Sequence, residues 1–110
     1  RYCSQFAITT SLKYNSIAWF GIPFVLSSKF SNKKNYIVNF LNKTGIETRP
    51  IISGNFANQP AVKLYKIKAK NLKNANYIEK NAFFLGVHSK KLKIHELVFL
   101  KDGIFNSFKQ

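Results

Sequence analysis

The run over residues 45–60, Gly45-Ile46-Glu47-Thr48-Arg49-Pro50-Ile51-Ile52-Ser53-Gly54-Asn55-Phe56-Ala57-Asn58-Gln59-Pro60, constrains the fold more than any other part of this chain. Gly45 suits the left-handed position just past a helix, and residues 46–52 read as a strand. Ser53-Gly54-Asn55 then permits a sharp reversal, and Pro60 suits the first turn of a new helix. Helix, strand, turn and helix in so short a span mark a mixed fold. The run also delivers Arg49, the one arginine besides Arg1, to the end of a strand beside a polar turn.

Spacing on either side extends the pattern. Residues 17–26 are apolar and aromatic, and Gly21 and Pro23 argue for a strand rather than a helix, with Pro23 favouring an edge or an irregularity. Tyr36, Ile37, Phe40 and Leu41 form a helical stripe, with Ser31 or Asn32 as the cap and Gly45 at the exit. Asn74 caps a short helix running to Asn81, with Ala75 and Ile78 expected inside, and residues 82–87 read as a compact strand. Leu92, Leu97, Phe99, Leu100, Ile104, Phe105 and Phe108 suit a terminal helix that Asp102-Gly103 could interrupt. The order β-α-β-α-α-β-α predicts an α+β domain, a small sheet covered by helices, over residues 17–110. Residues 1–16 are polar and read as an irregular lead-in from a preceding N-terminal domain. The lysine-rich stretch over residues 66–73 reads as a solvated loop.

A formal net charge of +14 first points to nucleic acid or another anionic polymer, which a small basic module would bind by displacing counterions. Two details weaken that alternative. The cations are nearly all lysine, whereas base and phosphate recognition favours the planar guanidinium, and they are spread along the whole chain. No apolar run approaches the ~20 residues of a membrane span. One cysteine, Cys3, supports neither an internal disulfide nor a zinc site, so the expectation is no metal and a cytoplasmic location.

The residues do not assemble a nucleophile, a base and an orienting group. His95 falls among Leu92, Ile94 and Leu97 and reads as an ordinary surface or core histidine, while His88 follows a strand directly, where site residues often sit. Arg49, Ser53, Gly54 and Asn55 could converge a guanidinium, a hydroxyl, an amide and backbone N–H groups on an anionic sugar. The plain alternative is a strand and a tight turn, with Arg49 paired to Glu47 or Glu79. Trp19-Phe20 could stack a flat ligand, although core packing of at least one ring fits an apolar strand better.

Taken in order, Ala18-Trp19-Phe20-Gly21-Ile22-Pro23, then Gly45 to Pro50, then Ser53-Gly54-Asn55-Phe56 to Gln59-Pro60, then Asn74-Ala75-Asn76-Tyr77-Ile78 and Phe83-Phe84-Leu85-Gly86, the chain resembles the C-terminal domain of the DegT-type sugar-nucleotide aminotransferases and dehydrases over residues 15–100. The resemblance implies a pyridoxal-phosphate enzyme of aspartate-aminotransferase fold type I. Such enzymes are usually homodimers acting on nucleotide-linked keto-sugars in lipopolysaccharide and related biosynthesis. It implies that the Schiff-base lysine, or the histidine that replaces it in dehydrases, lies in an N-terminal domain outside these residues, so no catalytic residue is assigned here. The 110-residue piece would then be inactive alone. Arg49, Ser53, Gly54, Asn55 and His88 become the expected substrate-binding residues, and Asn58 stands where many relatives carry Arg or Lys.

Overall fold

Alternation decides the first long strand. Ile22, Phe24 and Leu26 project from one side of β2 (Gly21–Leu26), and Pro23 and Val25 from the other. In the computed structural model, which describes residues 6–8, 18–66, 68 and 72–109, β2 joins β1 (Phe6–Ile8), β3 (Thr48–Pro50) and β4 (Ala82–Gly86) in a four-stranded sheet of order β1-β2-β4-β3. Every pairing is antiparallel. The register sets Phe24 opposite Phe83, Ile22 opposite Leu85, and Thr48 opposite Leu85, so these side chains share one face.

Four helices follow in chain order: α1 (Lys34–Lys43), α2 (Pro60–Leu64), α3 (Lys73–Asn81) and α4 (Ile94–Ser107). Helices α1 and α4 cover the Phe24 face. Ile37 and Leu41 of α1 and Leu100 and Ile104 of α4 close a core with Phe24, Leu26, Phe30, Ile46, Phe83, Leu85 and Phe108. Phe24 and Phe83 stack at 5.5 Å, and Phe30 meets Phe108 edge-on at 5.3 Å. Each such side chain contributes about 1.5 to 3 kcal/mol by leaving water, so the small sheet is held mainly by this one face.

The α+β class and the element order are those the spacing predicts, and several details differ. The lead-in segment is revised over residues 6–8, which form β1 against Phe24, Val25 and Leu26; the rest of residues 1–16 lies outside the described residues. Pro23 does not confine β2 to an edge, because the described ladder with β1 runs from Phe24 to Leu26 and leaves Pro23 beyond it. A 3-10 turn, Ser28–Lys33, occupies the expected cap positions, so α1 starts at Lys34 without a side-chain cap. Helix α4 runs unbroken through Asp102-Gly103 because Gly103 lies against Ile46, where a Cβ would sit 2.3 Å from the Ile46 Cδ1. Ile78 is exposed and Ala75 half-buried, since α3 turns Asn81 inward instead. Trp19 and Phe20 precede the ladder and stay out of the core; Phe20 is 84% exposed and rests its ring on Phe84, 5.7 Å away, on the open face of the sheet.

Candidate functional site

The exit from α1 sets the site's first half. Gly45 adopts φ +86, the Gly45 amide donates to the Asn42 carbonyl, and the Ile46 amide donates to the Leu41 carbonyl. This pair of bonds is a Schellman closure, and it seals Ile46 into the core above Leu41. The Asn42 Oδ1 then accepts from the Thr48 amide (2.9 Å) and hydroxyl (3.1 Å), fixing the start of β3 to the helix end. A shallow open basin of about 580 Å³ lies here, lined by Asn42, Gly45, Glu47, Thr48 and Arg49.

Arg49 stands opposite Phe84 in the register and so projects from the open face. Its Nη2 lies 2.6 Å from the Glu47 Oε1, with the two side chains 65% and 72% exposed. An ion pair that wet is worth about 0 to 1 kcal/mol, so an incoming anion competes for the guanidinium at small cost. Of the two carboxylates open to Arg49 from sequence, Glu47 is the partner, whereas Glu79 accepts from Asn58.

The second half is the loop after β3. The Gly54 amide donates to the Ile51 carbonyl at 2.7 Å, and positive φ falls on Gly54 (+60) and also on Ile52 (+41). Ser53 is half-buried and its carbonyl accepts from the Gln59 side-chain Nε2 at 2.8 Å. Asn55 is 3% exposed: its Oδ1 accepts from the Ala57 amide (3.1 Å), and its Nδ2 donates to the Asn76 Oδ1 (2.7 Å). Both ends of that side chain are thus committed within the fold, so Asn55 shapes the loop rather than offering its amide to a ligand.

His88 does not join this group. Because β3 and β4 are antiparallel with Pro50 opposite Phe83, the loop over residues 53–55 leaves the sheet at one end and His88 at the other. The five residues from Phe83 to His88 span roughly 16 Å of strand. His88 is exposed, and its Nδ1 accepts from the Lys90 amide at 3.2 Å in a local turn. The structure therefore sets Arg49 between the basin and the loop, joins Ser53, Gly54 and Asn55 in that loop, and separates His88. Sequence reasoning gave Asn76 and Ile52 no role of their own and Glu79 only that of a possible partner for Arg49. Asn76 and Glu79 were visible as a polar pair three apart on a helix, and nothing local marked Ile52.

Pyridoxal phosphate requires a cradle of donors for its phosphate and a sheltered lysine or the histidine that replaces it, and neither His88 nor His95 lines the basin. Among the described residues no lysine lines the basin, and Lys34, half-buried, already donates to the Glu79 carbonyl at 2.7 Å. These residues do not by themselves fit the cofactor. Nor do the described residues hold a group of three or more His, Cys, Asp or Glu side chains placed for a metal ion. No helix among them is long and apolar enough to cross a membrane.

The described residues thus form an α+β sheet with helices α1 and α4 on one face, an arginine on the other and a polar loop at the strand end. Residues 2–95 match the DegT/DnrJ/EryC1/StrS aminotransferase family, and the chain belongs to that family. It is 34% identical over 87 residues to a GDP-4-keto-6-deoxy-D-mannose 3-dehydratase of Escherichia coli, covering 77% of this chain and 22% of that protein. A Yersinia pseudotuberculosis protein of the same name is 34% identical over 73 residues, 64% of this chain and 19% of that one. Among solved structures, a mutant GDP-4-keto-6-deoxymannose-3-dehydratase with bound GDP-perosamine superposes with TM-score 0.78 at 29% identity, over 92% of this chain and 26% of that one. The Escherichia coli dehydratase with bound hydrated pyridoxal phosphate gives the same TM-score and identity. The chain spans about a quarter of the length of these relatives or less.

Proposed function

We propose that this chain is the C-terminal small domain, residues 17–110 with residues 1–16 leading into it, of a pyridoxal-phosphate enzyme that acts on a nucleotide-linked keto-sugar. The observation that carries the reading is the 34% identity to a dehydratase of a GDP-keto-sugar, across a stretch that includes Arg49 and its loop within the family match. The names of the relatives favour removal of the sugar 3-hydroxyl over amino transfer. The cofactor, bound mainly by residues outside this chain, supplies the electron sink. Arg49 binds an anionic group of the nucleotide, exchanging Glu47 for a phosphate oxygen. The Ser53 hydroxyl bonds a sugar hydroxyl, and the Asn55 side chain holds the backbone of Gly54 in place beside it. His88, at the far end of β4, contacts the ligand only if the substrate spans the open face. The reading extends to a cytoplasmic homodimer serving lipopolysaccharide sugar synthesis.

The test is turnover of GDP-4-keto-6-deoxymannose by the whole protein, with the product analysed for loss of the 3-hydroxyl or gain of an amino group. Arg49→Ala is expected to raise KM about tenfold to a hundredfold with a much smaller change in kcat, the loss of one charge-assisted contact. An unchanged KM would remove Arg49 from the site.

A further inference from the structure

The loop over residues 51–59 is unusual in what holds it. Two of its three large apolar side chains point outward, Ile52 at 89% exposure and Phe56 at 62%, while Ile51 is half-buried. Ile52 is also β-branched with φ +41, a conformation in which its Cβ crowds the backbone and which persists only where the surroundings impose it. With its side chain in solvent, no packing of Ile52 itself can supply that restraint.

The restraint comes from one face of α3. Asn76 and Glu79 are three residues apart and so adjacent on the helix surface. The Asn76 Oδ1 accepts from the Asn55 Nδ2 (2.7 Å) and the Asn58 Nδ2 (3.3 Å). The Glu79 Oε2 accepts from the Asn58 Nδ2 at 2.6 Å, and its methylene groups lie under Gly54, where a Cβ would stand 2.8 Å from the Glu79 Cγ. Helix α3 is in turn fixed to the rest of the fold, by the Tyr77 hydroxyl donating to the Leu26 carbonyl (2.8 Å) and the Lys34 Nζ donating to the Glu79 carbonyl (2.7 Å). A continuous polar chain therefore runs from β2 and α1 through α3 to the loop.

We propose that Asn76 and Glu79 are positioning residues that clamp the 51–59 loop onto α3, hold Ile52 in its strained left-handed conformation, and so present Ser53 and Gly54 in one fixed geometry to a nucleotide-sugar. The clamp stands on the contacts above; its service to a nucleotide-sugar rests on the function proposed for this loop. Because the strain is local to Ile52 and the clamp residues, Asn76 and Glu79, lie on a helix far from it in sequence, the two are separable by mutation.

Hydrogen exchange of the whole protein reads the loop directly at the amides of Gly54, Asn58 and Gln59, with the amides of β4 as internal reference. Asn76→Ala and Glu79→Ala are expected to accelerate loop exchange about tenfold or more while the β4 amides hold. Glu79→Gln, which keeps an oxygen acceptor, is expected to stay near the parent rate and covers the case in which an alanine variant does not fold. Adding Ile52→Gly to either alanine variant should slow the loop again, since glycine accepts positive φ without strain. Unchanged loop exchange in both alanine variants overturns the clamp, and faster exchange on adding Ile52→Gly overturns the strain. Affinity for GDP-mannose forms a separate arm: a loosened loop with unaltered affinity keeps the clamp and refutes the substrate-facing role, whereas loss of both supports the whole proposal.

Discussion

Lys34 shows how one side chain links the site to the scaffold. Burial lowers its pKa below the usual 10.5, and the nearby Glu79 charge opposes that shift without cancelling it. In the window between the lowered value and 10.5, the unfolded chain holds more proton than the folded one. Stability therefore gains from this group as pH rises through the window, and the charged form is a net cost below it. The expected outcome is that Lys34→Met flattens the rise of the urea midpoint with pH below 10.5 relative to the parent chain. An identical pH slope in the two proteins would show that the buried amine contributes nothing. The same scale explains why Asn55 resisted a sequence reading. An asparagine after Ser-Gly looks like a turn residue with a free amide, and only a partner 21 positions later, Asn76, shows that the amide is taken.

At the scale of elements, the two glycines that bracket the sheet separate backbone conformation from packing. A Cβ on Gly45 or on Gly86 would meet nothing within 4 Å, yet only Gly45 has positive φ, +86. Gly45→Ala is expected to cost about 1 to 2 kcal/mol through the left-handed backbone alone, by weakening the Schellman closure of α1. Gly86→Ala should be neutral to slightly stabilising, because alanine fits a strand and narrows the unfolded ensemble. Thermal melts of the pair check this, with each kcal/mol moving Tm by roughly 4 to 8 °C for a domain near this size. Equal Tm values for the two variants would contradict the capping argument. Helix α1 and strand β4 were legible because stripe, cap and alternation all act within a few residues. β1 was not, since Phe6, Ala7 and Ile8 form too short a run among polar neighbours and acquire strand form only through pairing with β2.

Among the described residues the core lies on one side of the sheet, and Arg49 projects from the other, where Phe20 and Phe84 meet. Helix α4 also leaves Ile94, Leu97, Val98 and Phe99 exposed. If the cofactor is held mainly by residues outside these, the 110-residue chain mixed with pyridoxal phosphate should lose all absorbance specific to the cofactor on dialysis. A band that survives would show a cradle within this chain. The net charge of +14 needs no separate site in this picture, since lysines on 3-10 turn, helix and loop surfaces alike are exposed at positions such as Lys29, Lys73 and Lys90.

The sequence by itself determined the elements from β2 onward, their order and the α+β class, together with the end of α1 at Gly45 and the polar turn after Arg49. Those follow from rules of short range, in which a glycine, a proline or a side-chain period acts on its own few neighbours. The tertiary structure alone decided the register that parts His88 from the loop, the seating of Asn55 on α3, and the choice of Glu47 over Glu79 for Arg49. The strand register, the Asn55–Asn76 bond and the commitment of Glu79 to Asn58 join groups far apart in the chain, and their geometry exists only once the sheet and the helices have packed.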